Sequence, residues 1–323
     1  MEVVVVGTES CGLARGKMKP ERFLAPFVQH LERHSVRVHI VERPSDLSSA
    51  TIRSAKIAVL PVVNEEDHQH DFRAIQSWAD QVGALMCPSF ATAKMMANKR
   101  DTNVAFASRG IPVPKLASQS QGLAIFSNEV TGSGQETKLL ESGSPIDESR
   151  YNTSFIDSTH TFNGEPYYVS LRAMAVGTHC VSIYLRARPV SDNAPSVHSK
   201  DTPRDAAVIN ALYNEIVTPR KKLLNEICDR AGSVLGVGYY AHDIIPSQDG
   251  QFFICETGLK YNDTMLANHL KAERFKTHFA DICTEDEVKR SADALLQQLG
   301  WNAAPGIASK LLRRLSAQWW PRD

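Results

Sequence analysis

The sequence predicts an α/β unit that gives way to an α+β region of mixed sheet and a few long helices. Three observations carry this. A wholly apolar strand, Val3 to Val6, opens a strand–helix alternation that runs to about residue 90. From Tyr151 onward the pattern changes to alternating strands joined by short turns, as in antiparallel hairpins. The chain is also 323 residues long, more than one minimal core requires, so two or three compact units are expected.

The first strand, residues 2–6 before Gly7, is apolar on both faces, as a central strand of a parallel sheet must be. Pro20 opens a helix with Phe23, Leu24, Phe27, Val28 and Leu31 at helical spacing, and Pro26 either kinks it or marks its true start. Residues 36–41 and 57–63 read as the second and third strands, and 72–82 as an amphipathic helix. This alternation implies a Rossmann-like three-layer unit. Gly7, Gly12 and Gly16 lack the Gly-x-Gly-x-x-Gly spacing of a dinucleotide site, which argues against a dehydrogenase. Residues 89–109 read as mainly helix, closed by Gly110, with Pro112 and Pro114 enforcing an extended exit. Residues 117–150 are rich in Ser, Gly, Gln and Glu around Gly132-Ser133-Gly134, a composition that predicts a mobile segment. A long helix is expected over 205–231, then a hairpin and C-terminal helices. The resulting division is an N-terminal unit over 1–90, a linker helix with a small lid over 91–165, and a main unit over 166–323.

Two hairpins carry charge. In the first, Tyr167 to Arg188, the apolar sets face each other only if the loop has an odd number of residues, such as Gly177-Thr178-His179. That register puts Arg172, Arg186 and Arg188 on one face, where mutual repulsion favours an anionic ligand. In the second, Asp249-Gly250 is a strong two-residue turn signal, and Asp243 and Glu256 are equidistant from it. Two acids facing each other across a ladder repel unless a cation lies between them, and hard oxygens suit Mg²⁺. Pro246 leaves a second register open, in which a bulge near the turn makes the acids diagonal neighbours.

These motifs, in this order, resemble the ATP-grasp superfamily, carboxylate–amine ligase type. Asn98-Lys99-Arg100-Asp101-Thr102 with the following Gly110 to Pro114 looks like the segment whose lysine contacts ATP phosphate, here Lys99. Phe155-Ile156-Asp157 resembles the hinge strand beside the adenine. Tyr168 to Gly177 resembles the strand with a phosphate- or substrate-facing arginine, here Arg172, and Asp243 with Glu256 resembles the metal hairpin. The likeness covers roughly residues 95 to 265. It implies ATP and Mg²⁺ as cofactors, an acyl-phosphate intermediate, and Arg186 and Arg188 toward the substrate carboxylate or acyl-phosphate. Two positions depart from the pattern. Glu256 is followed by Thr257-Gly258 where the family has Glu-x-Asn, so Asn262 or Asp263 would supply the third ligand. The second ATP lysine is either Lys138, beside the glycine loop, or has moved elsewhere. An ATP-binding regulatory or scaffolding protein of the same fold is the alternative.

Composition restricts the partners. Lys+Arg and Asp+Glu both number 36, so no polycationic surface recommends nucleic acid. No stretch approaches the roughly 20 apolar residues of a membrane span. Six cysteines without a Cys-x-x-Cys pair fit reduced, buried thiols, and a cytoplasmic location is expected. Small carboxylates and amines are the expected partners, with a homodimer left open. His68-Gln69-His70-Asp71 reads as a polar helix start, residues 306–320 as a basic amphipathic helix packed on its own unit, and Cys255 as core on the face opposite Glu256.

Overall fold

The computed structural model describes residues 1–10, 12–13, 23–63, 69–117, 123–127, 129, 137–194, 196–198, 205–261 and 285–301. Pro20, Gly132 to Gly134, Asn262, Asp263, His68 and the 306–320 segment lie outside them.

The chain begins with a parallel sheet of β1 (Glu2–Val6), β2 (Arg37–Val41), β3 (Ile57–Pro61) and β4 (Leu85–Met86), in the order β2-β1-β3-β4. β1 is paired on both sides and every residue is buried, which is why it carries four consecutive valines. β2, an edge strand, alternates more loosely between exposed and covered residues. Helix α1 (Ala25–Arg33) carries Pro26 in its first turn, where the missing N–H breaks no helical bond, so this proline sits at the helix start and not in its interior. Helix α2 is Gln69–Gln81. Its Asp71, 2% exposed, accepts from Glu9 N at 3.2 Å and pairs with His70, a structural role consistent with a polar helix start.

The expected helix over 89–109 is two helices, α3 (Phe90–Met96) and α4 (Lys99–Ser108). Ser89 caps the first by accepting from Thr92 N, and Asn98 caps the second by accepting from Asp101 N at 3.1 Å. Asn98 is therefore a start signal inside an apparently continuous pattern. Gly110, at φ +65°, ends α4 as expected. A three-stranded antiparallel sheet follows in the order β6-β5-β7, built from β5 (Ala124–Ser127), β6 (Lys138–Leu140) and β7 (Tyr151–Ser154).

The third sheet is antiparallel, in the order β10-β9-β11-β12 with β8 also on β9. Its strands are β8 (Thr159–Phe162), β9 (Glu165–Val176), β10 (His179–Pro189), β11 (Tyr239–Pro246) and β12 (Phe252–Leu259). Parallel and antiparallel pairing are thus both present, distributed by sheet. The helix expected over 205–231 is again two, α5 (Ala206–Ile216) and α6 (Lys221–Leu235), separated by a 3₁₀ turn at Thr218-Pro219-Arg220. Pro219 lacks the N–H that a continuous helix would need. These two and α7 (Glu285–Gln298) pack on β9 and β10, where Leu171, Ala173, Ile183 and Leu185 share a core with Leu212, Ile227, Ala231 and Leu295.

Both hairpins reach the expected register by an unexpected route. The first has a two-residue loop, Gly177-Thr178, not three, but a bulge at Val181 restores the register of the remaining strand. Val169 then faces Ala187 and Leu171 faces Leu185, so the apolar sets meet. In the second, Ser247 N donates to Gln251 O, leaving a three-residue loop Gln248-Asp249-Gly250. Pro246 pairs with Phe252 and Ile244 with Ile254, one step off the two-residue register; Ile245 therefore faces Phe253, not Ile254. A bulge at Cys255 then corrects the slip, and Asp243 lies opposite Glu256 as the sequence predicts.

Candidate functional site

The register sets one row of residues across four strands. Tyr184 on β10 pairs with Arg172 on β9, Arg172 with Asp243 on β11, and Asp243 with Glu256 on β12. Residues directly opposite in a ladder share a face, so an arginine and two acids are brought together. Arg172 grips Asp243 with two bonds, Nε to Oδ1 at 2.7 Å and Nη2 to Oδ2 at 2.8 Å. Arg186 adds Nη2 to Oδ1 at 3.2 Å. Burial would raise the Asp243 proton affinity, but Arg172 and Arg186 outweigh it and hold the carboxyl below the ordinary carboxylate range. Asp243 is ionised at neutral pH.

Glu256 is held differently. Lys99, the first residue of α4, brings Nζ to 3.9 Å from Glu256 Oε2, and its side chain is only 10% exposed. The start of α4 is fixed by Glu129. Its carbonyl accepts from Lys99 N at 3.0 Å, and its carboxylate accepts from Asn98 Nδ2 at 3.2 Å and from Arg100 Nε at 2.7 Å. Asn103 Nδ2 donates to Pro114 O at 2.9 Å and to Tyr151 Oη at 3.3 Å, tying α4 to the extended exit and to β7.

Lys99, Arg186, Asp243, Cys255 and Glu256 line a cleft of about 160 Å³ between the β5–β7 sheet and the antiparallel sheet. Its apolar lining is Ile125, Phe155, Ile156, Val169 and Ile245. Arg186 is 2% exposed, and its Nε has no hydrogen-bond partner among the described residues. A buried guanidinium N–H without a partner is costly, so this edge of the cleft suits an anionic acceptor.

The sequence-predicted residues divide. Lys99, Phe155, Ile156, Arg186, Asp243 and Glu256 line the cleft, and Arg172 lies behind Asp243 with its side chain engaged there. Phe155-Ile156-Asp157 is an irregular segment after β7, not a strand. Asp157 is exposed, does not line the cleft, and accepts from Thr159 N at 2.9 Å while its carbonyl accepts from Gln248 N at 3.1 Å. Lys138 is exposed on β6 and is absent from the cleft wall, which its neighbour Thr137 joins, because successive strand residues point to opposite faces. Arg188 shares a sheet face with Arg186, yet its Nε bonds Asp192 at 3.1 Å and its Nη1 donates to Ser196 O at 3.2 Å. Cys255 is a correction: in the bulge it lines the cleft beside Glu256, and desolvation pushes its thiol up to about 12.

Sequence reasoning missed Tyr151, Thr153, Ser154 and the segment Ser196–His198, all on the cleft wall. The strand β7 is short and polar, and residues 196–198 follow no periodicity, so no local signal marks either. Val197 is brought there by contact with β9, where Ser170 Oγ donates to its carbonyl at 3.4 Å.

No family model and no curated protein sequence matches the chain. Among solved structures, the ATP-grasp ligase PsnB complexed with minimal precursor, Mg and ADP is 12% identical, with 92% of this chain and 97% of that chain covered at a TM-score of 0.51. D-alanine-D-alanine ligase from Coxiella burnetii is 9% identical, covers 98% of this chain and 99% of its own, and gives a TM-score of 0.48. At such identity likeness speaks for architecture alone, and the PsnB superposition carries it. The chain has the ATP-grasp fold.

Proposed function

We propose that the cleft binds ATP and that the chain is an ATP-dependent ligase, joining a carboxylate to an amine or similar nucleophile through an acyl-phosphate. The observation that carries this reading is the convergence of Lys99, Arg186, Asp243 and Glu256, joined by ion pairs and strand register, in the wall of a cleft that also has apolar lining. An adenine ring fits between Phe155, Ile156, Val169 and Ile245. At about 160 Å³ the cleft would take the base, with the triphosphate reaching toward Lys99, Arg186 and Glu256. Arg186 Nε supplies a donor there that awaits an acceptor.

The residues also fit Mg²⁺, which binds through one or two carboxylates and substrate phosphates. Glu256, 34% exposed, and Asp243 would hold it, and when bound it would neutralise charge on the phosphates. In the reaction a substrate carboxylate oxygen bonds the γ-phosphorus as the bond to the β-phosphate oxygen breaks, releasing ADP. The amine then attacks the acyl carbon, phosphate departs, and the amine proton is lost. Lys99 and Arg186 stabilise negative charge in flight and orient the γ-phosphoryl group. Arg172 keeps Asp243 ionised and in place, and Arg188 holds the Ser196 segment against the cleft.

One observation favours the second reading, a nucleotide-binding regulatory protein. Asp243 already accepts three arginine contacts, and Gly258 offers no side-chain ligand after Glu256. ADP release, measured with carboxylates and amines singly and in pairs, separates the two. A ligase releases ADP with one particular pair. Tight ATP binding without any pair-dependent ADP release would establish the regulatory reading.

A further inference from the structure

Outside the cleft, three metal-ligating side chains from distant parts of the sequence converge on the seam between α1 and α7. His30 and His34 stand one turn apart at the C-terminal end of α1, with ring centroids 4.9 Å apart. Both aim Nε2 at one oxygen of Asp293 on α7, at 2.6 Å from His30 and 3.7 Å from His34. The ligand atoms all lie within 4.8 Å of one another. The imidazoles are mostly covered, at 12% and 21% exposure, while Asp293 is 55% exposed and leaves an open side toward solvent.

We propose that His30, His34 and Asp293 form a binding site for a divalent transition metal, Zn²⁺ foremost, that staples the N-terminal α/β unit to the helix layer of the antiparallel sheet. Two imidazole nitrogens and a carboxylate oxygen are a zinc donor set, and water would complete four-coordination. Bond lengths of about 2.0–2.1 Å at tetrahedral angles put ligand atoms roughly 3.3 Å apart. The two histidine–aspartate separations straddle that value, and the two imidazole nitrogens, within 4.8 Å, would close toward it by side-chain rotation. Both nitrogens pointing at a single oxygen require at least one ring proton between them; a cation at the shared point instead lets all three act as electron-pair donors. Position adds to this, since the C-terminal end of α1 carries the negative pole of its helix dipole. Mg²⁺, which demands oxygen ligands in octahedral geometry, does not suit this set.

The consequence is a clamp between segments 263 residues apart in sequence. The same seam already holds Trp301 Nε1 donating to His34 O at 3.2 Å and Lys56 Nζ donating to Gly300 O at 3.3 Å. A metal bound only by the native chain would stabilise that docking by mass action.

The test uses the full chain, stripped with EDTA and titrated with Zn²⁺ and, in parallel, with Co²⁺. The expected result is a Zn²⁺-dependent rise of several degrees in melting temperature and the visible bands of tetrahedral Co²⁺ bound by nitrogen and oxygen. Asp293→Asn and His34→Gln should abolish both, with the melting temperature of the stripped protein little changed. Glu256→Gln should retain both, which separates this site from any metal in the cleft. Absence of both signals in the unmodified chain, their persistence in Asp293→Asn, or a thiolate-type Co²⁺ spectrum would each overturn the proposal. If His34→Gln does not fold, Asp293→Asn decides alone, because that side chain faces solvent.

Discussion

At Asp243, burial and charge pull proton affinity in opposite directions, and the two arginines win. The neighbouring His242 has no such help. It is fully buried, and desolvation lowers its pKa to about 4, only partly opposed by the Asp243 charge. The unfolded imidazole, at about 6.5, binds protons more readily than the folded one. Stability from neutral His242 is therefore fully present above about pH 6.5 and is lost as pH falls toward 4, by up to about 3 kcal/mol. The Asp243 contribution is lost at lower pH still, below the ordinary carboxylate value of about 3.9. Melting temperature measured from pH 7 to 4 should fall, and His242→Gln should flatten that slope; an unchanged slope would refute the assignment. Replacing Arg172 by Met leaves a mostly buried carboxylate with Arg186 and the weaker influence of Lys260, and should cost about 3 kcal/mol in denaturant unfolding. Glu256→Gln has the opposite profile. It removes a partly exposed charge, so the apo fold should persist while pair-dependent ADP release falls by at least a hundredfold.

The hairpins show how elements aim these side chains. Each carries a bulge that offsets a loop one residue away from the expected length, and in β12 the bulge also turns Cys255 into the cleft. The loop of the first hairpin is itself seated against α6 at Gly232. A Cβ on Gly232 would overlap the Gly177 carbonyl and the Thr178 Cα, and Gly177 at φ +54° has little freedom to retreat. Helix propensity alone would make Gly232→Ala favourable by up to about 1 kcal/mol. Here overpacking against backbone should win, destabilising the chain by about 2 kcal/mol. A Gly232→Ala variant more stable than the parent to denaturant would show that α6 can slide on the hairpin.

Across the whole molecule, the cleft gathers residues from α4, β5, β7, β9, β10, β11 and β12, so ligand binding and docking of these elements are linked. A nucleotide that binds only the assembled cleft should raise the melting temperature, by the equivalent of about 2.7 kcal/mol at a hundredfold excess over Kd. ATP with Mg²⁺ should do so and NAD should not, because Gly7, Gly12 and Gly16 lack the glycine spacing of a dinucleotide turn. A shift with NAD and none with ATP would reverse the nucleotide assignment.

The sequence by itself determined the strands of the two charged hairpins and the pairing of Asp243 with Glu256. Val3 to Val6 could only be a doubly covered strand, and the alternation in Tyr167 to Arg188 set a register that a bulge restores after a loop one residue short. Asp243 and Glu256 were legible as partners because burial of one strand face forbids a lasting one-residue slip, so a shift at the loop had to be undone by a bulge. Helix breaks at Asn98 and Pro219 were also written in the chain but hidden within continuous apolar periodicity. Tertiary structure alone decided what lies between the acids. Arg172 and Arg186 reach Asp243 and Lys99 reaches Glu256 because β9, β10 and α4 are docked there, and strand order leaves no mark on sequence spacing. The outward turn of Lys138 and Asp157, the tethering of Arg188, and the meeting of His30, His34 and Asp293 likewise depend on how separate elements pack. Local propensity fixes which face a residue occupies along its own strand or helix; only packing fixes which other face it meets.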